Sequence, residues 1–171
     1  MKYTYVLGID PSGNFEEGKG TTGFCLYDVE NDYIVETKSI SADAYETQHK
    51  YWHAVLMYVM KTAYKYKHKT LAIVIEDYLL YATKASSQIN SKMETPKLIG
   101  ILEYYCGECS LPVTLQPAHL VKNRWANEVL MHKGYIKKKG QRWFTQYEKA
   151  VDRHAIDAIR HAVHFGTFKN N

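Results

Sequence analysis

Asp10, Glu76, His154 and Asp157 are the side chains whose type and placement could do chemistry together. Asp10 closes the apolar run Tyr5-Val6-Leu7-Gly8-Ile9, and a Pro-Ser-Gly turn follows it. Glu76 closes a second run, Leu71-Ala72-Ile73-Val74-Ile75. His154 and Asp157 stand three apart in a helical pattern near the C-terminus, which puts them on one face. A carboxylate at the end of a buried strand contributes little to packing and is well placed for chemistry. Two strand ends and one helix turn could hold a hard divalent cation, or a pair of them. Three carboxylates and an imidazole suit Mg²⁺ or Mn²⁺, whereas zinc would want more nitrogen and sulfur. Two such ions, about 3.5–4 Å apart, can activate a water and stabilise the leaving oxygen of a phosphodiester. Competing readings stand beside these: Asp before Pro is a common turn starter. Asp77 also competes with Glu76, because alternation sends the two to opposite faces.

The final helical pattern, expected over residues 148–165, carries His154, Asp157, His161 and His164 along one face, with Ala155, Ile159, Ala162 and Val163 turned to the core. At a rise of about 1.5 Å per residue, His161 lies about 10 Å from His154 along the axis. One metal centre cannot use both, so His154 and Asp157 are assigned to the site and His161 and His164 to solvent or phosphate.

The elements that would position these groups follow from periodicity. Residues 3–10, 21–29 and 33–40 read as three strands with short connections, an antiparallel meander, with a Gly- and Pro-containing loop over 11–20. Residues 44–67 carry Trp52, Val55, Leu56, Val59, Met60 and Ala63 at helical spacing. Residues 71–76 form a strand covered on both faces. A helix over 96–106, a strand over 111–115 demoted to an edge by Pro112, and a helix over 117–132 come next. A basic loop at 134–143 and the final helix complete the chain. The order β-β-β-α-β-α-β-α-α predicts one α/β domain over residues 1–171: a mixed five-stranded sheet, its first three strands antiparallel, with helices on both faces.

The chain has 171 residues and a formal net charge of +4, enough for a real core and mildly favourable to a polyanionic partner. Its three cysteines, Cys25, Cys106 and Cys109, give no disulfide framework and point to a reducing compartment. The lone Cys106-Gly107-Glu108-Cys109 has no second pair to complete a zinc site and reads as structural. No signal pattern or membrane-length apolar run is present, so a soluble, intracellular protein is expected. Lys133, Lys137, Lys138, Lys139 and Arg142 cluster beside Tyr135 and Trp143. Cations beside flat rings suit phosphates and unstacked bases, although a solvated loop would show the same pattern. Lys84, Lys92 and Lys97 add charge to the polar segment after Glu76.

Gly8-Ile9-Asp10-Pro11-Ser12, followed by Thr22-Gly23-Phe24, resembles the opening strand pair of the RuvC family of Holliday junction resolvases, within the RNase H-like superfamily. Ile75-Glu76 is similar to the family's second acid. His154-Ala155-Ile156-Asp157-Ala158 resembles its C-terminal helix motif, with His in place of the Asp some members carry first. Gln116 to Lys122 is similar to the segment whose Val-Lys places a lysine near the scissile phosphate. These blocks occur in family order over nearly the whole chain, and its small size and divergence look most like phage-encoded members. The resemblance implies an RNase H-like fold and two Mg²⁺ ions per site, with Mn²⁺ substituting. Asp10 would bridge the ions, with Glu76, His154 and Asp157 completing the shells and Lys122 at the phosphate. It also implies paired nicks in branched DNA, leaving 5′-phosphates, by a homodimer in the cytoplasm, the host's if phage-encoded. Tyr78 or Tyr81 would take the place of the aromatic wedge. The sequence departs from the family at the insertion Asn14 to Lys19 and in a longer stretch between Glu76 and Gly100. The face of helix 96–106 with Leu98, Ile101, Leu102 and Tyr105 could be a dimer surface or plain core.

Two other readings remain open. A ribonuclease H or flap nuclease would keep the fold and change the substrate. A branched-DNA binder that does not cut would gain nothing from carboxylates facing phosphate, which repel DNA unless metal offsets them.

Overall fold

The computed structural model describes residues 2–16, 19–66, 70–79 and 92–170. Strands β1 (Tyr5–Asp10), β2 (Thr21–Asp28) and β3 (Tyr33–Ser41) are antiparallel neighbours. Helix α1 (Gln48–Lys65) leads to β4 (Leu71–Asp77), which lies parallel to β1. Helix α2 (Glu94–Glu108) leads to β5 (Val113–Pro117), parallel to β4. The sheet order is β3-β2-β1-β4-β5, the mixed five-stranded sheet expected, with Pro112 leading into an edge strand. Then come α3 (Ala118–Arg124), α4 (Asn127–His132), a second antiparallel sheet of β6 (Ile136–Lys139), β7 (Arg142–Thr145) and β8 (Ala150–Val151), and α5 (Arg153–Phe168).

Strand alternation divides the core in two. Leu7, Ile9, Leu71, Ile73 and Ile75 face α1 and α2, where Tyr51, Val55, Val59, Leu98 and Leu102 are buried. Val6, Ala72 and Val74 face α5 and pack on Ile156, Ala158, Ile159, Ala162 and Val163. The parity of Val6 and Val74 therefore carries Asp10 and Glu76 to the α5 side. It sends Asp77 to the other, so Glu76 and not its neighbour faces α5.

Two glycines let α5 come close enough to matter. A Cβ at Gly8 would stand 2.3 Å from the Ala158 carbonyl oxygen, and one at Gly23 would stand 2.2 Å from that of His154. Both obstacles are backbone, so any side chain at either position would lift the helix off β1 and β2. The start of α5 is fixed by Asp152, whose Oδ1 accepts from Ala155 N at 2.8 Å and from Ser39 Oγ at 2.9 Å.

Several elements differ from expectation, and the first helix starts at Gln48 rather than 44. The strand expected over 111–115 lies two residues later. The helix expected over 117–132 is broken at Trp125, whose indole is buried among Tyr135 and Phe168 and whose backbone leaves the helical region. The final helix starts at Arg153 rather than 148, because Ala150 and Val151 pair with β7. The basic stretch 134–143 is not a loop but a hairpin, turning at Gly140 with φ of 59°. Its Ile136 side packs on the core, and Tyr135 and Tyr27 share one Asp32 carboxylate oxygen.

Cys25 and Cys106 are buried free thiols, and burial pushes Cys106 up to about 11, consistent with a structural role. Among the described residues no helix is long and apolar enough to cross a membrane.

Candidate active site

Asp10 and Glu76 stand one residue beyond Ile9 and Ile75, the last paired residues of the parallel strands β1 and β4. One turn into α5, Asp157 projects between them. Ligand oxygens of Asp10, Glu76 and Asp157 lie within 4.8 Å of one another. Three anionic groups this close, with side chains only 12–17% exposed, repel unless something positive joins them.

The chain supplies part of that positive charge. Lys122, in α3, sets Nζ 3.1 Å from Glu76 Oε1 and 3.1 Å from Asp157 Oδ2. Burial opposes its charge, but the Asp157 and Glu76 carboxylates outweigh this and raise its pKa above the ordinary lysine value. Arg160 pairs with the other oxygen of Asp157 and is itself held by the Trp125 carbonyl at 2.8 Å and by Asn127 Oδ1 at 2.5 Å. His154 lies on the far side, its Nδ1 2.8 Å from Asp10 Oδ2 and its Nε2 accepting from Arg153 Nε at 3.2 Å.

Two of these carboxylates are tuned in opposite directions. Burial pushes the Asp10 carboxyl up. The hydrogen bond from His154 works against this, but nearby Glu76 and Asp157 add to it. Burial also works to raise Glu76. The hydrogen bond and charge of His161, joined by Lys122, prevail and hold it below the ordinary carboxylate value.

His161 overturns its assignment to solvent or phosphate. It is fully buried, with Nε2 3.0 Å from Glu76 Oε2 and Nδ1 3.1 Å from Gln116 Oε1. The length between His154 and His161 along the axis does not keep both from the site, because α5 crosses the sheet and meets β1 with one turn and β4 with a later one. Its spacing from buried Ala158 and Phe165, three before and four after, is the readable signal. His164 is also turned inward: Trp125 Nε1 donates to its Nδ1 at 3.3 Å, and burial, then the Arg124 charge, lowers its pKa. Sequence reasoning does not single out Gln116 and Arg160, whose residue types alone carry no signal for such a role.

The donor set fits hard divalent ions. It offers three convergent carboxylates and an imidazole beside Asp10, and Lys122 Nζ already stands among the oxygens as a cation.

The other expected residues are spread more widely. Tyr81 and Lys84 lie outside the described residues. Tyr78 is half-buried beside the α1–α2 core, and Lys92 pairs with Glu16 at the surface. Lys133, Lys138, Lys139 and Arg142 are exposed on or beside the hairpin, and Lys137 is partly so. Lys137 and Lys139 both pair with Glu148, while Lys138 lies 5.4 Å from the Trp143 ring centroid. Asp10 pairs with Gly23, Gly23 with Ser39, and Ser39 bonds Asp152 next to β8, so the hairpin flanks the site end of the sheet. On α2, Leu98 and Leu102 are core, leaving Tyr104 and Tyr105 exposed.

No protein-family model matches the chain, and no curated protein matches it by sequence. Solved structures do. A Thermus thermophilus RuvC in complex with a Holliday junction substrate superposes with a TM-score of 0.69 at 15% identity, over 98% of this chain and 95% of that one. A second Thermus thermophilus RuvC structure gives 0.66 at 15% identity, over 97% of each chain. The chain thus has the RuvC-type RNase H-like fold, and the resemblance read from its motifs is borne out as a likeness of fold.

Proposed function

We propose that this protein is a metal-dependent endonuclease that resolves four-way DNA junctions by paired nicks. The observation that carries the reading is the convergence of Asp10, Glu76 and Asp157 at adjacent strand ends of a RuvC-type fold, with Lys122 between two of them. Asp10, Glu76 and Asp157 would hold two divalent ions, Mg²⁺ or Mn²⁺, and His154, whose Nδ1 faces Asp10, would join them through Nε2 on releasing Arg153. When bound, these ions activate the attacking water and offset the charge that builds on the phosphate. Lys122 sits where an ammonium could exchange carboxylate oxygens for a phosphate oxygen as the transition state forms. His154 holds Asp10 through Nδ1, and Arg160 holds Asp157, so both carboxylates meet the metal preorganised. The hairpin cations Lys137, Lys138, Lys139 and Arg142, with Lys133, would track the phosphate backbone. A homodimer carrying two such sites would match the two-fold symmetry of a four-way junction and cut it symmetrically.

The test is cleavage of a labelled four-way junction beside linear duplex, flap and RNA–DNA hybrid, in Mg²⁺ and then EDTA, with Asp10→Asn in parallel. Paired metal-dependent nicks, lost in Asp10→Asn while binding persists, establish the resolvase. Junction binding without cutting in Mg²⁺ or Mn²⁺ sinks the enzyme. Preferential cutting of the hybrid moves the protein to ribonuclease chemistry on the same site.

A further inference from the structure

A fully buried histidine two turns along α5 needs a reason, since a leucine would fill the space without a polar group to satisfy. His161 lies at the meeting point of three elements. Glu76 is the penultimate residue of β4, Gln116 is its register partner on β5, and α5 packs on β4. The ring reaches each of them, Nε2 to Glu76 Oε2 at 3.0 Å and Nδ1 to Gln116 Oε1 at 3.1 Å. An ionised carboxylate only accepts, so the proton on Nε2 is fixed by Glu76 itself. Gln116 is 5% exposed, and its Nε2 is buried without a partner. Turning that amide over would present its NH₂ to Nδ1, while Nε2–H still donates to Glu76. Either way Gln116 holds the ring from behind.

The consequence falls on Glu76. Its Oε1 takes Lys122 and its Oε2 takes His161. These bonds define the carboxylate plane, which a free glutamate would sample broadly about its last torsion. We infer that His161, braced by Gln116, is a positioning residue that orients the Glu76 carboxylate for metal binding. This rests on the nuclease reading and extends it outward from the ligands. Partners of this kind change metal affinity by 10–100-fold in metal sites generally. A histidine that only fills and satisfies the core would change stability and leave metal affinity alone.

The experiment measures Mn²⁺ binding to the full chain without DNA, by loss of the free-ion EPR signal, together with thermal melting and the Mg²⁺ dependence of junction cleavage. The variants are His161→Leu, His161→Gln and Gln116→Leu. We expect about tenfold or greater weakening of Mn²⁺ binding in His161→Leu. The Mg²⁺ concentration for half-maximal cutting should rise in parallel, with a smaller change in the rate at saturating metal. His161→Gln should recover much of the affinity, because its amide N–H can still donate to Glu76. Gln116→Leu should weaken binding in the same direction by less. A folded His161→Leu that binds Mn²⁺ like the wild type overturns the inference. If that variant does not fold, wild-type Mn²⁺ affinity in Gln116→Leu overturns it instead. A wild type that cuts junctions beside unaffected variants sinks this inference alone, whereas a wild type that neither binds Mn²⁺ nor cuts sinks the nuclease reading and this one with it.

Discussion

Asp10 and Glu76 end neighbouring parallel strands, face the same helix and are similarly enclosed, yet the protein treats them differently. Glu76 is surrounded by donors: Lys122 on one oxygen and His161 on the other hold its pKa down against burial. Asp10 has His154, which does not overcome burial and the charge of its two acidic neighbours, so its pKa is pushed up. One corner is complete as the chain folds, and the other is left short of positive charge. On the proposed function, a divalent ion would therefore gain most at Asp10, and the Glu76 corner would offer it a ligand already aimed. An evenly built site would have shown both carboxylates shifted the same way.

The largest test of this asymmetry is Asp10→Asn. Removing the ligand that most needs the ions should reduce junction cleavage by about 10³-fold or more, read under single-turnover conditions. The same change removes a carboxylate whose charge is disfavoured in the fold, so the melting temperature in EDTA should stay level or rise. Metal addition to the wild type comes next. At a hundredfold excess over Kd, linkage stabilises by about 2.7 kcal/mol, which for a chain of this size raises Tm by roughly 5–10 °C. Asp10→Asn should lose most of that rise, and a wild-type Tm indifferent to Mg²⁺ and Mn²⁺ would break the comparison.

Glu76→Gln should behave in the opposite sense in EDTA. It replaces an anionic acceptor that the buried His161 and the half-buried Lys122 both use, at a cost of about 1–3 kcal/mol. The pH dependence sharpens the contrast. Glu76 has a folded pKa below its ordinary value of 4.5, so its stabilisation is present above that value and lost as pH falls through the folded one. Asp10 has a folded pKa above its ordinary 3.8, so its favourable contribution is present at acid pH and lost as pH rises through the folded value. In metal-free urea melts, the stability of wild type relative to Glu76→Gln should grow from acid to neutral pH, and relative to Asp10→Asn it should shrink. Equal slopes would mean that the two corners are not differently built.

Much of this architecture is legible in the amino-acid sequence, and the parts that are not share a cause. The strand-end carboxylates stand out because an apolar run that stops at an acid has few packing explanations. The glycines that admit α5 lie inside the motif blocks that resemble the RuvC family. Glu76 cannot be chosen over Asp77 from spacing, because alternation yields two faces and only the position of α5 says which face matters. A length measured along one helix misplaces His161, because the site spans strands about 4.8 Å apart that the helix crosses. The hairpin reads as a loop because a lysine-rich run is poor in strand formers. Its pairing rests on Ile136, Tyr135 and Trp143 meeting a core that local sequence does not reveal.

That hairpin offers a contrast with the whole carboxylate cluster. Its contribution should be to binding, independent of metal, where the carboxylates contribute to chemistry. Replacing Lys137, Lys138 and Lys139 with Gln should weaken junction binding in EDTA. It should also flatten the dependence of log K on log salt by about 2–3, at about 0.9 for each phosphate no longer neutralised. Cleavage at saturating DNA should be unchanged.

Glu148→Gln is the smallest and most discriminating change. Glu148 holds both Lys137 and Lys139 through exposed ion pairs, and those lysines hold its own pKa down. Such pairs exchange readily with solvent and with other anions. Releasing the two lysines should tighten junction binding about two- to fivefold at low salt, an advantage that fades as screening shortens the reach of the charges. The variant leaves Asp10, Glu76, His154 and Asp157 untouched, so its metal-dependent Tm rise should match the wild type. Tighter binding with an unchanged metal response would separate the phosphate track from the metal site. A Glu148→Gln protein that bound DNA no better at any salt would show that these lysines do not meet phosphate, and the track would have to be sought elsewhere around the carboxylates.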